Sequence, residues 1–498
     1  MTMGQPFPTG GLWMLLVLAA LIMGSGLPVW ALLIGTASAF AAGGWVAGVI
    51  DANVLSAISG RTLGLLDNDL LQALPLYVFV GVLLQRLTVA DALFSTLTHL
   101  FRWTGAGTSV AAFGVGALVA PMNGSVASSS ALMARLVVPR LGQLKAAAAT
   151  ALISASSTIG VVVPPSLVLI LLGDAMLRAH TEASNLPGFV LGSQRIINTQ
   201  DVFHAALLPA ACVLLLWLLV AWWQGRTLQR PQHADPQPVR PAQWAVSVVS
   251  AVVIVLLLGG VFAGRMYAVE AAATGAVALV VATLASRALK TPQWMSVLSD
   301  TLNLSGALLA LLVGASTFSL VFRLWGTDAW ITQSVLASPL PPMLTAALVL
   351  LLVALCAWVL DAFEMIFVII PIVAPPLIAR LGDAQQTAVL LLLVLQLSFL
   401  IPPMGYAVMM ARARSGLAQT SLWHTLRALL PYIAVQCAVT LVVFVEPWTV
   451  HQLDAPPPPV SDAAPLSAQD LDQQMRDMAD QGNAPDDASG ANTNTKRP

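Results

Sequence analysis

The sequence predicts an all-α polytopic membrane protein, built as an inverted repeat with two re-entrant helical hairpins. Three observations predict it. Of 498 residues, 58% are hydrophobic and only 9% charged, where a soluble domain carries about a quarter charged residues. Two apolar runs are too long for one helix and are interrupted at their centres by polar residues. Finally, local features of the first half recur in the second.

A spanning helix needs about 20 apolar residues. Such runs lie near 11–28, 31–50, 71–87, 146–172, 203–223, 244–264, 267–286, 305–322, 386–411 and 429–446, ten in all. The interrupted runs, 109–138 and 343–378, suit hairpins that enter and leave by the same face. Residues 1–70 then form N-terminal scaffold spans and 71–173 a first repeat. Residues 174–304 hold an external loop, scaffold spans and a linker at 224–243, and 305–411 form a second repeat. The last span occupies 412–448, and 449–498 reads as a disordered acidic tail.

Arginine placement orients these segments. Arg226, Arg230 and Arg240 face a single Asp in the linker, which puts it in the cytoplasm. Alternation outward places Arg287, Lys290, Arg412, Arg414 and Arg427 inside, and the stretch 51–70 and the tail outside. The first hairpin then opens to the cytoplasm and the second to the exterior. No Lys or Arg precedes Arg61, so the first apolar run lacks the basic start of a signal peptide and reads as a span.

Other classes find little support. A net charge of −1 gives no field to attract nucleic acid. Cys212, Cys356 and Cys437 sit singly in apolar runs and read as small hydrophobes. There is no HExxH, no DDxxD and no Cys/His cluster, so nothing points to an enzyme.

The repeat is visible in the text of the chain. Arg140-Leu141-Gly142 recurs as Arg380-Leu381-Gly382, and Pro164-Pro165 recurs 238 positions later as Pro402-Pro403. The same offset pairs Asn123 with Asp361 and Thr158 with Gln396. Each half reads span, amphipathic arm (88–105 and 323–338), hairpin, span. Inverted repeats of this kind are expected of secondary transporters, with the binding site near the midplane where broken helices meet.

The prolines predict the chemistry. Proline lacks an N–H and clashes with the carbonyl four residues earlier, so these pairs free the carbonyls of Gly160, Val161, Ser398 and Phe399. Inside a membrane such groups need protein, water or a cation. With the hydroxyls of Ser156, Ser157 and Thr158 close by, this oxygen-rich backbone suits Na⁺, near Gly160 and near Ser398. Half-helix N-termini at the hairpin tips suit a carboxylate. Asn123, Gly124 and Ser125 form the first tip, with Ser128 on the returning half-helix, while Ser129 and Ser130 are assigned to close packing. Asp361 and Glu364 mark the second tip. Carboxylates there are costly, which points to cation or proton coupling, or to structural pairing with an arginine such as Arg323. Arg135 is either a substrate ligand or a side chain snorkelling to the cytoplasmic edge.

The stretches "LPLYVFVGVLLQRLTVADALF", "NGSVASSSALMARLVVP", "SSTIGVVVPPSLVLILLGDAM", "LDAFEMIFVIIPIVAPPLIARLG" and "LLPYIAVQ" carry a family resemblance. From about Gly26 to Trp448 the chain resembles the large membrane subunit, DctM type, of tripartite ATP-independent periplasmic (TRAP) transporters. The resemblance implies an elevator-type transporter of the bacterial inner membrane, taking up an organic anion with Na⁺ and no cofactor. It also implies two partners: a periplasmic solute-binding protein and a separate small membrane subunit of DctQ type. Asn123, Gly124 and Ser125 match the family's first tip, and Gly160, Pro164, Pro165 and Ser166 its first broken span. Asp361 falls in the second hairpin, and Ser398, Pro402, Pro403 and Gly405 in the second broken span. Val394 replaces an Asn common two residues before Gln396, and Ile401 replaces the Thr before Pro-Pro. Each departure removes a side-chain oxygen from the second site. The "LDAFEMIF…PP" variant looks like the branch linked to 2-oxo acids and small carboxylates. A stand-alone Na⁺- or H⁺-coupled anion symporter is the alternative.

Overall fold

The computed structural model describes residues 9–51, 57–66, 69–123, 125–140, 146–164, 166–186, 197–228, 240–357, 360–402, 405–416 and 421–453. Among these residues the secondary structure is helical throughout. The chain begins with α1 (Thr9–Ser25), α2 (Val29–Val46) and a short α3 (Ala57–Leu66). The third lies in the stretch read from sequence as an external loop, where ten residues are too few to register as a span.

The first repeat follows. The span α4 (Asp69–Arg86) bends by 64° into the arm α5 (Val89–Leu100). A hairpin of α6 (Gly107–Asn123) and α7 (Val126–Val137) comes next, then a span broken into α8 (Ala146–Val162) and α9 (Leu167–Ser184), bent by 44°. The apolar run ends near residue 172, but the helix continues to Ser184. Two of its charged residues pair along its own surface, Arg178 to Asp174 at 3.1 Å. Then come α10 (Thr199–Leu228), α11 (Pro241–Phe262) and α12 (Ala268–Ala285).

The second repeat has the same order. Its span α13 (Thr291–Leu324) bends into the arm α14 (Thr327–Leu336). The hairpin is α15 (Pro342–Ala357) and α16 (Ala362–Leu381), the latter containing a π-helical turn over Met365–Ile369. A second broken span, α17 (Ala384–Ser398) and α18 (Tyr406–Ser415), precedes the final α19 (Leu422–Val445). At 34 residues, α13 is about 50 Å long and overshoots the hydrocarbon core. The sequence placed a span only at 305–322. The added N-terminal turns are amphipathic, and their Asp300 pairs with Arg86 at 2.7 Å.

Packing separates the helices into a flank and a core. Helices α1, α2, α4, α12 and α13 pack on one another, while α11 packs on α12 and the arm α5. The hairpins and broken spans pack together with α10 and α19. Their contacts cross between repeats: α7 lies on α18, and α9 on α16. An aromatic cluster of Phe113, Trp217 and Tyr432 fastens α6 to α10 and α19, with ring centroids 5.7–5.9 Å apart. The flank leaves large apolar side chains exposed, such as Val249 at 62% and Leu302 at 73%, as a lipid-facing surface would.

The structure reveals one repeat feature that the sequence reading missed. Arg86-Leu87 and Asp91-Ala92 recur as Arg323-Leu324 and Asp328-Ala329, 237 positions later, at each bend from span into arm. The repeated Arg-Leu-Gly arginines share a task. Arg140 lies over the Phe94 ring of α5, and Arg380 donates to the carbonyls of Val335, Leu336 and Ser338 at the end of α14. Each thus clamps a hairpin to the arm of its own repeat.

Candidate functional site

Both helix interruptions are built from local chemistry. Ser166 stitches the first one: its hydroxyl donates to Val161 O at 3.1 Å and accepts from Leu169 N at 3.1 Å, capping α9. At the second, Phe399 O accepts from Ala407 N at 3.2 Å, and Ser398 O accepts from Ile401 N at 3.4 Å. Glycine is required at both. A Cβ on Gly160 would lie 2.5 Å from the Ala120 backbone, and one on Gly405 would lie 2.8 Å from two carbonyl oxygens.

These bonds show what three of the four freed carbonyls meet. The prolines mark the breaks, but Val161, Ser398 and Phe399 each give their carbonyl to a donor within the protein. Gly160, the fourth, lines a cleft.

That cleft is narrow, with about 310 Å³ of space including the part open to its surroundings. Its polar lining is Ser125, Ser129, Ser157, Ser166 and Asp361. Three helix N-termini converge on it: α7 behind Ser125, α9 behind Ser166 and α16 behind Asp361. Each helix start carries roughly half a positive charge on unpaired N–H groups. No Lys, Arg or His is among the described lining residues. The cleft therefore offers backbone donors to an anion, with one carboxylate placed among them. Asp361 Oδ1 is buried without a hydrogen-bond partner among the described residues.

The other predicted residues fall around this centre. Asn123 ends α6, and Gly124, Pro165 and Pro403 lie outside the described residues. Pro164 is buried at the first break, and Pro402 lies at the second. Ser128 does not line the cleft; Gln85 of α4 donates to its hydroxyl at 2.5 Å. Ser129, assigned from sequence to packing, takes the lining position instead. Ser157 accepts from Ser130 at 3.0 Å, and Thr158 donates to Ala155 O. Glu364 reaches back to accept from Asp361 N at 3.0 Å, so it shapes the second tip. Gln396 lies behind the cleft and donates to Thr158 O.

Neither arginine considered from sequence serves the cleft. Arg323 pairs with Glu182 at 2.6 Å and approaches Asp328, tying the flank helix α13 to the end of α9. Arg135 pairs with Asp91 of the arm at 3.0 Å. Sequence reasoning also missed Tyr406, which begins α18 within electrostatic reach of Asp361 and Glu364. Its signal was its place just after the second proline pair.

Duplicated span–arm–hairpin units, with both hairpin tips and the first break meeting at one cleft, define a polytopic helical membrane protein with a transporter's core. The chain belongs to the family of the DctM component of tripartite ATP-independent periplasmic transporters, whose model matches residues 13–449. It is thus a multi-pass protein of the bacterial inner membrane. An isethionate TRAP transporter permease protein of Oleidesulfovibrio alaskensis is 22% identical, over 77% of this chain. The chain spans 58% of that relative's length. The sialic acid TRAP transporter large permease protein of Vibrio cholerae is 22% identical, over 78% of this chain and 86% of its own. The 2,3-diketo-L-gulonate large permease protein of Escherichia coli is 23% identical, over 76% and 85%. Among solved structures, the YdaH transporter of Alcanivorax borkumensis shares the fold with a TM-score of 0.58 at 15% identity. That match covers 81% of this chain and 91% of YdaH.

Proposed function

We propose that the chain is the translocating subunit for uptake of a small organic anion, of the carboxylate or 2-oxo acid class, coupled to Na⁺. The convergence of three helix N-termini on a cleft containing Asp361 carries this reading. Backbone dipoles favour the anion's acidic group, and Na⁺ offsets the combined negative charge of ligand and Asp361. Main-chain oxygens near Gly160 and Ser398 are the Na⁺ candidates. A carbonyl that accepts one hydrogen bond keeps a second lone pair for a cation. Two ligands named for the relatives, sialic acid and diketogulonate, are carboxylates, and a third, isethionate, is a sulfonate, an organic anion that the same backbone dipoles would favour.

Hairpins and broken spans would move as one body against the flank, in elevator fashion. Substrate would arrive from a periplasmic binding protein, and a DctQ-type small membrane subunit would brace the flank. The test is uptake into proteoliposomes containing the chain and both partners, with and without a Na⁺ gradient. Uptake requiring both Na⁺ and the loaded binding protein is expected. Uptake from free substrate alone would point to a stand-alone symporter.

A further inference from the structure

A helix outside both repeats reaches the space between the two breaks. Gln436 of α19 and Gln396 of α17 are each 0% exposed. Gln436 Nε2 donates to Gln396 Oε1 at 2.9 Å and to Leu393 O at 3.1 Å. Gln396 Nε2 in turn donates to Thr158 O at 3.3 Å. The amide orientations follow from the partners. Leu393 O and Thr158 O can only accept, so each glutamine turns its nitrogen toward one of them. Gln436 Oε1 is then left buried with no partner among the described residues.

An orphaned buried carbonyl is costly, and a methionine would fill the same space without one. Packing alone does not account for a glutamine here. The relay's position does. Thr158 lies two residues before Gly160, and Gln396 two residues before Ser398, so the hydrogen bond joins the two candidate ion positions.

We propose that Gln436 is a positioning residue for ion coupling: it orients Gln396 against the Thr158 main chain and ties the two breaks together. An ion that draws in the carbonyls of one break then changes the affinity of the other, and the coupling is reciprocal. Val394 and Ile401 offer no side-chain oxygen at the second break, so α19 supplies the polar contact from outside the repeat. The inference rests on the Na⁺ reading above.

The test is equilibrium binding of ²²Na⁺ to the purified full chain in nanodiscs, for wild type, Gln436→Met, Gln396→Met and the double variant. Wild type should bind with a Hill coefficient above 1. Gln436→Met should bring that coefficient toward 1 and raise half-saturation about fivefold or more, the lower range for coupled sites. The double variant should be no worse than Gln436→Met, because both substitutions break one relay. If Gln436→Met does not fold, Gln396→Met carries the same expectation. An unchanged isotherm, or a lower melting temperature with the Hill coefficient retained, overturns the proposal. A wild type without saturable Na⁺ binding overturns the Na⁺ reading itself, and the inference with it, before any substitution is compared.

Discussion

Gln396 Nε2 and Thr158 O lie 3.3 Å apart, and their residues hold the same place in the two halves of the chain, 238 positions apart. Equivalent residues can touch only beside the axis that relates the halves. The crossed packing of α7 on α18 and α9 on α16 surrounds that contact. The cleft formed by both hairpin tips belongs to the same centre.

Ser166→Ala removes both the cap of α9 and the bond to Val161 O. Loss of an N-cap costs about 0.5–2 kcal/mol. The variant should insert normally, melt a few degrees lower and transport more slowly. Thermal unfolding in detergent beside uptake tests this; an unchanged melting temperature would show that the break is held by other contacts.

Gly160→Ala places a methyl group against the Ala120 backbone, which cannot swing aside. Overpacking of this kind costs about 1–3 kcal/mol. The first hairpin should be displaced from the broken span, with uptake falling at least tenfold while the protein still reaches the membrane. Uptake normalised to membrane-inserted protein is the measurement, and wild-type rates would mean that the hairpin does not pack there during transport.

Asp361→Asn keeps the shape of the second tip but removes its charge. On the present reading it should change the Na⁺ dependence of uptake more than the expression level. Na⁺ titrations of uptake in matched proteoliposomes distinguish the outcomes. If expression alone falls, Asp361 serves the fold and not the ion.

Much of this architecture is legible in the sequence because membranes impose strict local rules. Apolar run length marks the spans, and Pro164 and Pro402 mark the breaks, since a carbonyl deprived of its N–H partner cannot be left bare in lipid. What failed were inferences that depend on side-chain direction. Ser128 and Ser129 are neighbours with the same chemistry, yet one meets Gln85 and the other lines the cleft. Helix rotation decides that, and two adjacent serines of the same type do not announce which one turns inward. Arg323 was weighed as a partner for the buried carboxylates, whereas Glu182, 141 positions away, takes it. Gln436 closes the stretch "LLPYIAVQ" that carries part of the family resemblance, but it belongs to no repeated motif, and only the contact with Gln396 shows what it touches.

Opposed entry of the two hairpins is the central claim, and cysteine labelling across the membrane tests it most directly. Trp103 and Leu340 are exposed, precede the first and second hairpins, and lie 237 positions apart. With Cys212, Cys356 and Cys437 replaced, a membrane-impermeant maleimide should label Leu340→Cys in intact spheroplasts, but Trp103→Cys only after permeabilisation. Labelling of both positions from the same side would contradict the account.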